Sequence, residues 1–351
     1  MCIRDRIDVF IIKNVIKGCA MKIAVLGGGS FGTVVANLVA ENGHSVSLWA
    51  RSEDTATLMQ KERVNQRYHP NHRLHDHISI TSDLKQVLEM AELLFFAVPS
   101  NAYKELAKLV SSIIKPEVPI VSTAKGFGDQ LLLPSQVLSE QMPDNPNCTM
   151  SGPNIAAEMA DGEITATVVA GPDKSIRRIV REVLSTDSMR VYENSDQYGI
   201  ELSGALKNIY AIISGITEAV GAGQNTKSLI FTRAIAEMNR FCRELGANPM
   251  TMLGLGGIGD LFVTCTSPLS RNYRVGMAIG NGASLEDAIS SLGQIAEGVN
   301  TTKLVKKHAD AKGIYMPLLS ALNAILFEGC PISESVRKMM LSTHSVDVES
   351  G

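Results

Sequence analysis

The sequence has no apolar run that approaches the roughly 20 residues a helix needs to cross a bilayer. Its six scattered cysteines include no C-x-x-C pair, a usage typical of reduced cytosolic thiols and unlike a zinc site or a disulfide framework. It has no basic run, and a net charge of −3 argues against a nucleic-acid surface. We therefore expect a soluble cytoplasmic protein with no metal, no nucleic-acid partner and no stable membrane insertion.

Length and composition are those of an ordinary globular chain. A length of 351 residues suggests two domains, and 45% hydrophobic with 20% charged residues allow a buried core. The first 20 residues differ, because they carry a broken apolar run that superficially resembles a signal peptide and that Lys13 and Lys17 interrupt. We interpret residues 1–20 as an upstream extension and Met21 as the natural start.

The chain is organised around a glycine motif that follows a short apolar run. Residues 22–26 predict a buried parallel strand, and Gly27, Gly29 and Gly32 then form G-x-G-x-x-G. The first glycine permits a tight turn, the second lets a pyrophosphate approach the backbone, and the third lets the helix pack on the strand. The helix that opens at Ser30-Phe31 would direct unpaired N–H groups at that pyrophosphate. The motif predicts a dinucleotide site, and the alternative is a glycine-rich turn without a ligand.

The residue that ends the second strand bears on the choice of dinucleotide. Residues 46–50 predict that strand, and Arg51 stands at its end, where NAD-preferring sites usually carry an acidic residue. A guanidinium there can meet a 2′-phosphate, which favours NADP(H). Glu53 is close enough to leave NAD(H) open, and Arg51 can also be read as a solvated strand terminus.

Further apolar or alternating segments predict more strands, at residues 78–80, 93–98, 120–123, 165–170 and 189–192. A helix is expected at residues 176–184, and residues 150–158 are interpreted as a turn into a helix.

Two residues fall where these strands end. Ligands in open α/β sheets bind outside the carboxyl ends of the strands, and Pro99 and Lys125 lie at that rim. Lys125 is a candidate for an anionic ligand, although a lysine after a strand is usually solvated.

The pattern changes after about residue 195, where strand signals stop and long helical ones begin. We predict a Rossmann-type doubly wound α/β sheet at 21–200, an all-helical C-terminal domain at 201–341 and a tail at 342–351.

The long helix predicted from residue 196 to 220 carries a stripe of small residues with one lysine. Ser203, Lys207, Ala211 and Ser214 share one face, and small neighbours leave room for a ligand beside the ammonium. Asn208 is adjacent and can add an amide. The alternative, and the usual fate of a helical lysine, is a solvated or snorkelling side chain.

Two polar clusters follow. Asp260 ends the glycine-rich run at residues 254–259 and is expected to cap the next helix, to contact a ligand, or to do both, with Thr264 one turn further on. Ser270-Arg271-Asn272 offers a hydroxyl, a guanidinium and an amide together, which suits a phosphate. The alternative is a capped helix start with a solvated arginine.

Taken together, these segments resemble the bacterial NAD(P)-dependent glycerol-3-phosphate dehydrogenases from Met21 to about Leu341. The strings that carry the resemblance are GGGSFGT at 27–33, STAKGF at 122–127, SGPN at 151–154 with Ala156, ELSGALKNIYAI at 201–212, GLGGIGDLFVTC at 254–265, SRN at 270–272 and AEGV at 296–299. The first 20 residues have no counterpart in that pattern, and Asn154 stands where the family often has threonine or serine.

The resemblance implies an enzyme that interconverts dihydroxyacetone phosphate and sn-glycerol 3-phosphate with NAD(P)H and feeds phospholipid synthesis. It implies Lys207 as the acid/base. From chemistry alone, a lysine with a lowered pKa suits this role, and crowding by other cations such as Lys125 and Arg271 is one route to that lowering. It implies substrate contacts by Lys125, Gly152, Asn154, Lys207, Asp260, Ser270, Arg271 and Asn272, to which the residue pattern adds Asn208 and Thr264. It implies cofactor contacts by Ser30, Phe31, Arg51, Lys125, Ala156, Arg271, Ile295 and Glu297, to which the pattern adds Gly27, Gly29, Gly32 and Pro99.

Two alternatives remain open at this point. A dehydrogenase of the same design for a hydroxy acid would need a carboxylate clamp, whereas Ser270-Arg271-Asn272 beside Asp260 favours a phosphate. A regulator that senses NADP(H) without catalysis would need no lysine on the small-residue stripe. The expected partner is a small-molecule substrate, and a homodimer is compatible with the sequence.

Overall fold

A computed structural model describes residues 20–292 and 296–340, apart from the side chains of Asp129, Met339 and Met340. The predicted tail at 342–351, Ile295 and the predicted extension through residue 19 lie outside the described residues. The chain divides into two compact units, of which the first ends at Glu201 and the second begins at Leu202.

In its described residues, 20–201, the first unit is built on ten strands. Their bounds are β1 Lys22–Leu26, β2 Ser45–Trp49, β3 Val64–Asn65, β4 His69–Arg73, β5 Ile78–Thr81, β6 Leu93–Phe96, β7 Ile120–Ser122, β8 Asn147–Ser151, β9 Thr165–Ala170 and β10 Met189–Asn194. Eight of these form one sheet in the order β10-β9-β8-β7-β6-β1-β2-β5, and β3 pairs with β4 in a separate antiparallel hairpin.

The helices of the first unit connect these strands. They are α1 Ser30–Glu41, α2 Glu53–Glu62, α3 Leu84–Leu88, α4 Tyr103–Ser111, α5 Pro134–Gln141, α6 Ala156–Ala160 and α7 Lys174–Leu184. Helix α8, Gln197–Ala219, leads from the first unit into the second.

Strand β1 lies where the order of the sheet reverses. The chain proceeds from β1 to β2 and β5 on one side and then returns to β6 on the other, and β1 pairs in parallel with both β2 and β6. Alternate residues of β1 lie in the hydrophobic cores on the two faces of the sheet. Ile23 and Val25 pack with α1 on one face, and Ala24 and Leu26 pack on the other. A crevice for a ligand is expected at the carboxyl end of a strand in this position.

The predicted fold class is confirmed, with two local differences. Strand β8 was not predicted, because only Cys148 and Met150 are apolar in it, and the turn into a helix expected at 150–158 includes its last two residues. It is nevertheless buried between β7 and β9, and its pairing with β9 is the antiparallel one in an otherwise parallel sheet. The β3–β4 hairpin was not predicted, because it is short and mostly polar.

The one tryptophan of the chain, Trp49, ends β2. Its indole Nε1 donates a hydrogen bond of 2.9 Å to the carbonyl oxygen of Ser82, and its backbone carbonyl accepts from Gly27 N at 3.0 Å. The residue therefore sits two positions before Arg51 and next to the glycine motif.

The second unit is helical in its described part. After α8 come α9 Gln224–Glu244, α10 Asp260–Thr266, α11 Arg271–Gly280, α12 Leu285–Ser290, α13 Glu297–Lys312, α14 Pro317–Phe327 and α15 Ile332–Met340. A short π-helical segment, Leu255–Gly259, leads directly into α10. Among the described residues, no helix is both long enough and apolar enough to span a bilayer.

Candidate active site

The glycine motif turns the chain sharply between β1 and α1. Gly27 has φ of 125°, and a Cβ on it would lie 2.3 Å from the carbonyl oxygen of Ala97. A Cβ on Gly32 would lie 2.0 Å from the carbonyl oxygen of Gly27, so any side chain would push α1 off the strand. Gly29 differs, because nothing lies within 4 Å of its Cβ position. Gly27 and Gly32 are closely packed where the strand meets the helix, whereas space is left beside Gly29. That space fits the approach of a pyrophosphate to the backbone.

Helix α1 begins with a glycine at its N-cap. Gly29 occupies the N-cap without a side-chain hydrogen bond, and the first turn contains no acidic residue. The first N–H groups and the positive end of the helix dipole are therefore available to an anion. Ser30 and Phe31, predicted as cofactor contacts, are the half-buried first residues of this helix.

The β3–β4 hairpin supports this loop with two buried polar side chains that sequence reasoning missed. Asn65 Nδ2 donates to the carbonyl oxygen of Gly28 at 3.1 Å and to Thr33 Oγ1 at 2.8 Å. His69 Nε2 lies 3.0 Å from Ser30 Oγ and 3.0 Å from Ser30 O. A lone polar hairpin 35 to 40 positions downstream gave no signal that it would fold against the motif.

The other predicted cofactor contacts of the first unit lie at the ends of strands or in the loops after them. Arg51 follows β2 and is exposed, as is Glu53. Pro99 precedes a short 3-10 helix after β6, and Ala156 begins α6. The structure thus places Arg51 at the end of a strand next to β1, where the sequence predicted it.

Lys125 and Gly152, both predicted as substrate contacts, touch each other. Lys125 Nζ donates to the carbonyl oxygen of Gly152 at 2.8 Å. Asn154 is anchored instead to β9, since its Nδ2 donates to the carbonyl oxygen of Ala166 at 3.0 Å and its Oδ1 accepts from Thr167 Oγ1 at 2.8 Å. The amide of Asn154 therefore serves the first unit's own structure, whatever it adds to a substrate.

The second unit buries Lys207 in a polar cluster. Lys207 Nζ donates to Asp260 Oδ1 at 2.5 Å and to Thr264 Oγ1 at 2.6 Å, and the Lys207 and Asp260 side chains are only 6% and 1% exposed. Asp260 and Thr264 stand one turn apart on α10 and so face the same point of α8. A lysine held in this way is not the solvated side chain of the alternative interpretation.

One alternative for this region is wrong. Asp260 does not cap α10, because Gly259 holds the N-cap position with helical backbone angles and Asp260 is the first helical residue. On the small-residue stripe, Ser203 Oγ lies 2.9 Å from the sulfur of Met252. The role of the carboxylate is therefore the contact with Lys207.

A second polar network adjoins Lys207 along α8. Asn272 Nδ2 donates to Asn208 Oδ1 at 2.8 Å, and Asn272 Oδ1 accepts from the backbone N of Gly298 at 3.0 Å. A Cβ on Gly298 would lie 2.6 Å from the carbonyl oxygen of Asn208 and 2.7 Å from Asn272 Oδ1. The network binds the first turns of α11 and α13 to α8, and only glycine fits at its centre.

Ser270 and Arg271 begin α11 next to this network. Ser270 is the N-cap and accepts from Tyr273 N at 3.3 Å, while Arg271 is exposed at the first helical position. Glu297 is the first residue of α13. The predicted contact Ile295 lies outside the described residues.

A buried carboxyl of the first unit, Glu201, titrates close to neutrality. Burial is the main cause that raises the pKa of Glu201 to about 7, against the lowering effect of hydrogen bonds from the Ser135 hydroxyl and backbone. Ser135 N donates to Glu201 Oε1 at 3.1 Å, and Ser135 Oγ donates to Oε2. This carboxyl fixes the start of α5 to α8, which carries Lys207 two turns further on.

The arrangement of each unit suits a part of a carbonyl reduction. The first unit presents an uncapped helix terminus, an open glycine and an arginine for a dinucleotide. The second presents a buried ammonium that can give a proton to a developing alkoxide, oriented by a carboxylate and a hydroxyl. Among the described residues, no group of three or more His, Cys, Asp or Glu side chains is arranged to hold a metal ion.

Comparisons with known proteins extend over nearly the whole chain. The family models for the N-terminus and the C-terminus of NAD-dependent glycerol-3-phosphate dehydrogenase match residues 22–177 and 196–337. A glycerol-3-phosphate dehydrogenase (NAD(P)+) of Teredinibacter turnerae is 46% identical over 94% of this chain and 97% of its own length. The protein of that name from Ectopseudomonas mendocina is 48% identical over 93% of this chain and 96% of its own length. The crystal structure of glycerol-3-phosphate dehydrogenase from Coxiella burnetii matches with a TM-score of 0.88 and 34% identity, covering 92% of this chain and 99% of that one.

Proposed function

Because the chain belongs to the NAD-dependent glycerol-3-phosphate dehydrogenase family, we propose that Lys207 is the general acid/base of its reaction. The reaction is the NAD(P)H-dependent reduction of dihydroxyacetone phosphate to sn-glycerol 3-phosphate, which supplies phospholipid synthesis. The observation that carries the proposal is the burial of the Lys207 ammonium against Asp260 and Thr264.

The proton is the protein's main chemical contribution to this reaction. The bound nicotinamide supplies the hydride, and the carbonyl oxygen of the ketone becomes negative as the hydride arrives. Lys207 gives that oxygen a proton in the reductive direction and removes it in the reverse direction. Asp260 and Thr264 fix the position of Nζ, so that no reorganisation is needed when the charge develops.

We assign the remaining substrate contacts to the anchoring of the phosphate and hydroxyl groups. Arg271 is exposed at the start of α11 and provides a guanidinium for phosphate oxygens, with Ser270 and Asn272 beside it. Binding of the phosphate away from the reacting carbon orients the ketone. The full set of proposed substrate contacts is Lys125, Gly152, Asn154, Lys207, Asn208, Asp260, Thr264, Ser270, Arg271 and Asn272.

The chain uses NAD(P) as its cofactor, and we propose that it prefers NADP(H). The preference is supported by exposed Arg51 at the end of β2, where a guanidinium meets a 2′-phosphate. The full set of proposed cofactor contacts is Gly27, Gly29, Ser30, Phe31, Gly32, Arg51, Pro99, Lys125, Ala156, Arg271, Ile295 and Glu297.

We further propose that the two units are domains with boundaries near residues 21–200 and 201–341, that the chain works in the cytoplasm, and that it forms a homodimer. Light scattering after gel filtration tests the dimer, and a monomeric mass at micromolar concentration would remove it.

The reaction is tested with purified protein that starts at Met21. We expect oxidation of NADPH, and more slowly of NADH, that depends on dihydroxyacetone phosphate. The matching experiment offers 2-oxo acids, the products of hydroxy-acid dehydrogenases, and turnover of these without turnover of dihydroxyacetone phosphate would overturn the assignment.

The role of Lys207 is tested separately from binding. Lys207→Ala is expected to abolish turnover while the affinity for NADPH, measured by calorimetry, stays within a few-fold. Unchanged turnover would remove Lys207 from the mechanism, and a regulator that only senses the dinucleotide would bind NADPH without turnover in either protein.

A further inference from the structure

His69 is a buried histidine that contacts the helix of the dinucleotide loop. It begins β4, 39 positions after Ser30, and is 4% exposed. Its Nε2 lies 3.0 Å from two oxygens of the same residue, Ser30 Oγ and Ser30 O. Ser30 is the first residue of α1, at the uncapped end that the glycine motif leaves open.

This geometry fixes the proton on the imidazole ring. A carbonyl oxygen can only accept a hydrogen bond, so the Nε2 that lies 3.0 Å from Ser30 O must carry a hydrogen. Ser30 Oγ, at the same distance from this N–H, then accepts from His69 and keeps its own hydrogen for another acceptor. At the N-terminus of α1 the favoured acceptor is an anion.

We propose that His69 is a positioning residue for the dinucleotide: it orients the Ser30 hydroxyl towards a diphosphate oxygen, and its protonated form strengthens that contact. The inference rests on the proposed cofactor role of Ser30. The imidazolium donates the same hydrogen bond as the neutral ring and adds a positive charge behind the hydroxyl, so the bond becomes charge-assisted.

The charged groups around His69 come from three elements. His72 on the same strand lies with its ring centre 6.0 Å away and pairs with Asp161, after α6, at 3.1 Å. Glu41 of α1 and Glu163 line the same small cleft as the two histidines. Burial is the main cause that lowers the pKa of His69 from 6.5, and the nearby His72 lowers it further, whereas the contact with Ser30 and the charge of Asp161 raise it.

The sign of the pH dependence follows from these shifts. In the free protein His69 becomes protonated only below pH 6.5, and a bound diphosphate adds negative charge that raises its pKa. The extra affinity is therefore fully present below the pKa of the free protein and is lost as the pH rises through the pKa of the complex. We expect affinity to fall about fivefold as the pH rises from below the pKa of His69 in the free protein to above its pKa in the complex, which is the typical difference between a charged and a neutral hydrogen bond.

The test is calorimetric titration of the full chain with NADH, in the absence of the second substrate. NADH is the probe because it lacks the 2′-phosphate, whose own protonation near pH 6 would weaken binding at low pH and so mask the effect. His69→Gln keeps an N–H donor for Ser30 and cannot be protonated, so its affinity should depend less on pH than that of the wild type. His72→Gln is the matched control: it raises the pKa of His69 by removing the neighbouring imidazole, but it should keep the total wild-type change in affinity with pH.

A double-mutant cycle tests whether His69 acts through Ser30. His69→Leu should weaken NADH binding about fivefold in the wild type and have little further effect in Ser30→Ala. Additive losses would overturn the route through the hydroxyl, and equal pH slopes in the wild type and His69→Gln would overturn the role of the proton. If His69→Leu does not fold, the comparison of the pH dependence of NADH affinity between the wild type and His69→Gln decides whether the proposal stands.

The two proposals fail in different ways. A protein that binds NADH but does not reduce dihydroxyacetone phosphate contradicts the proposed function and leaves the slope comparison valid. A protein that reduces dihydroxyacetone phosphate with identical slopes in the wild type and His69→Gln contradicts only the role of His69.

Discussion

Replacement of Lys207 by methionine should separate the lysine's contribution to stability from its contribution to turnover. Methionine has a similar length and no charge, so it fills the space of the lysine side chain and removes the ammonium from Asp260 and Thr264. The pair is almost completely buried, at 6% and 1% exposure. Removal of one partner of a buried pair typically costs about 3–5 kcal/mol, because the other charge stays in the interior.

Lys306 provides a matched control in the same unit. Its Nζ lies 2.5 Å from Asp310 Oδ2 on α13, the same distance as in the Lys207 pair, but the two side chains are 23% and 61% exposed. An exposed pair contributes about 0–1 kcal/mol. Lys306→Met should therefore lower the free energy of unfolding by about 1 kcal/mol or less and leave turnover unchanged.

A second substitution tests the reasoning further. In the double variant Lys207→Met/Asp260→Asn the buried carboxylate is replaced by a neutral amide, so at least half of the lost stability should return. Turnover should not return, because the proton donor is still absent, and a general acid typically contributes about 100- to 10,000-fold. We therefore expect the double variant to be more stable than Lys207→Met and to have the same low activity.

The measurements are calorimetric unfolding and initial rates of NADPH oxidation. A loss of about 1 kcal/mol or less in Lys207→Met would show that the buried pair is not what holds this cluster. Turnover within tenfold of the wild type would show that the proton comes from another group.

Three further predictions concern other parts of the chain. Arg51→Asp should raise the KM for NADPH about 10- to 100-fold and leave that for NADH nearly unchanged, since only NADPH carries the 2′-phosphate, and equal effects on both would make Arg51 a bystander. Gly298→Ala should raise the KM for dihydroxyacetone phosphate, because the added Cβ would lie 2.6 Å from the carbonyl oxygen of Asn208. A wild-type KM would show that the Asn208–Asn272–Gly298 network can shift without affecting substrate binding. Glu201 binds a proton in the folded state up to about pH 7 and in the unfolded state only to about 4.5, so stability falls as the pH rises across that window. Glu201→Gln can still accept from Ser135 N and donate to Ser135 Oγ, and unfolding at several pH values should show a pH-dependent loss smaller by up to about 3 kcal/mol.

The part of the fold that sequence predicts well is the part where burial and secondary structure agree. Residues 22–26 and 165–170 are strands with the predicted bounds, because continuous apolar runs ended by turn residues are what a doubly buried strand requires. Strand β8 was missed because two apolar residues in five give no such run, and its burial comes from neighbours that are distant in sequence. A strand whose burial comes from its neighbouring strands leaves no signal in the local sequence pattern.

The candidate site was likewise only partly predictable from the sequence. The stripe on α8 marked Lys207, but Asp260 and Thr264 are 53 and 57 positions away, and no periodicity indicates that they contact it. Asn65 and His69 gave no signal at all, since a short polar hairpin reads as a loop. The residue types predicted which side chains could act, but which of these side chains contact one another depends on the fold.

The position of Trp49 has a practical consequence. The reduced nicotinamide absorbs light in the range where indole emits, and the chain's one indole ends the strand beside β1, two residues before Arg51. Energy transfer should therefore quench its fluorescence when NADH or NADPH docks on the glycine motif. The polypeptide carries a native optical reporter at the cofactor end of its sheet, so occupancy can be followed without a label.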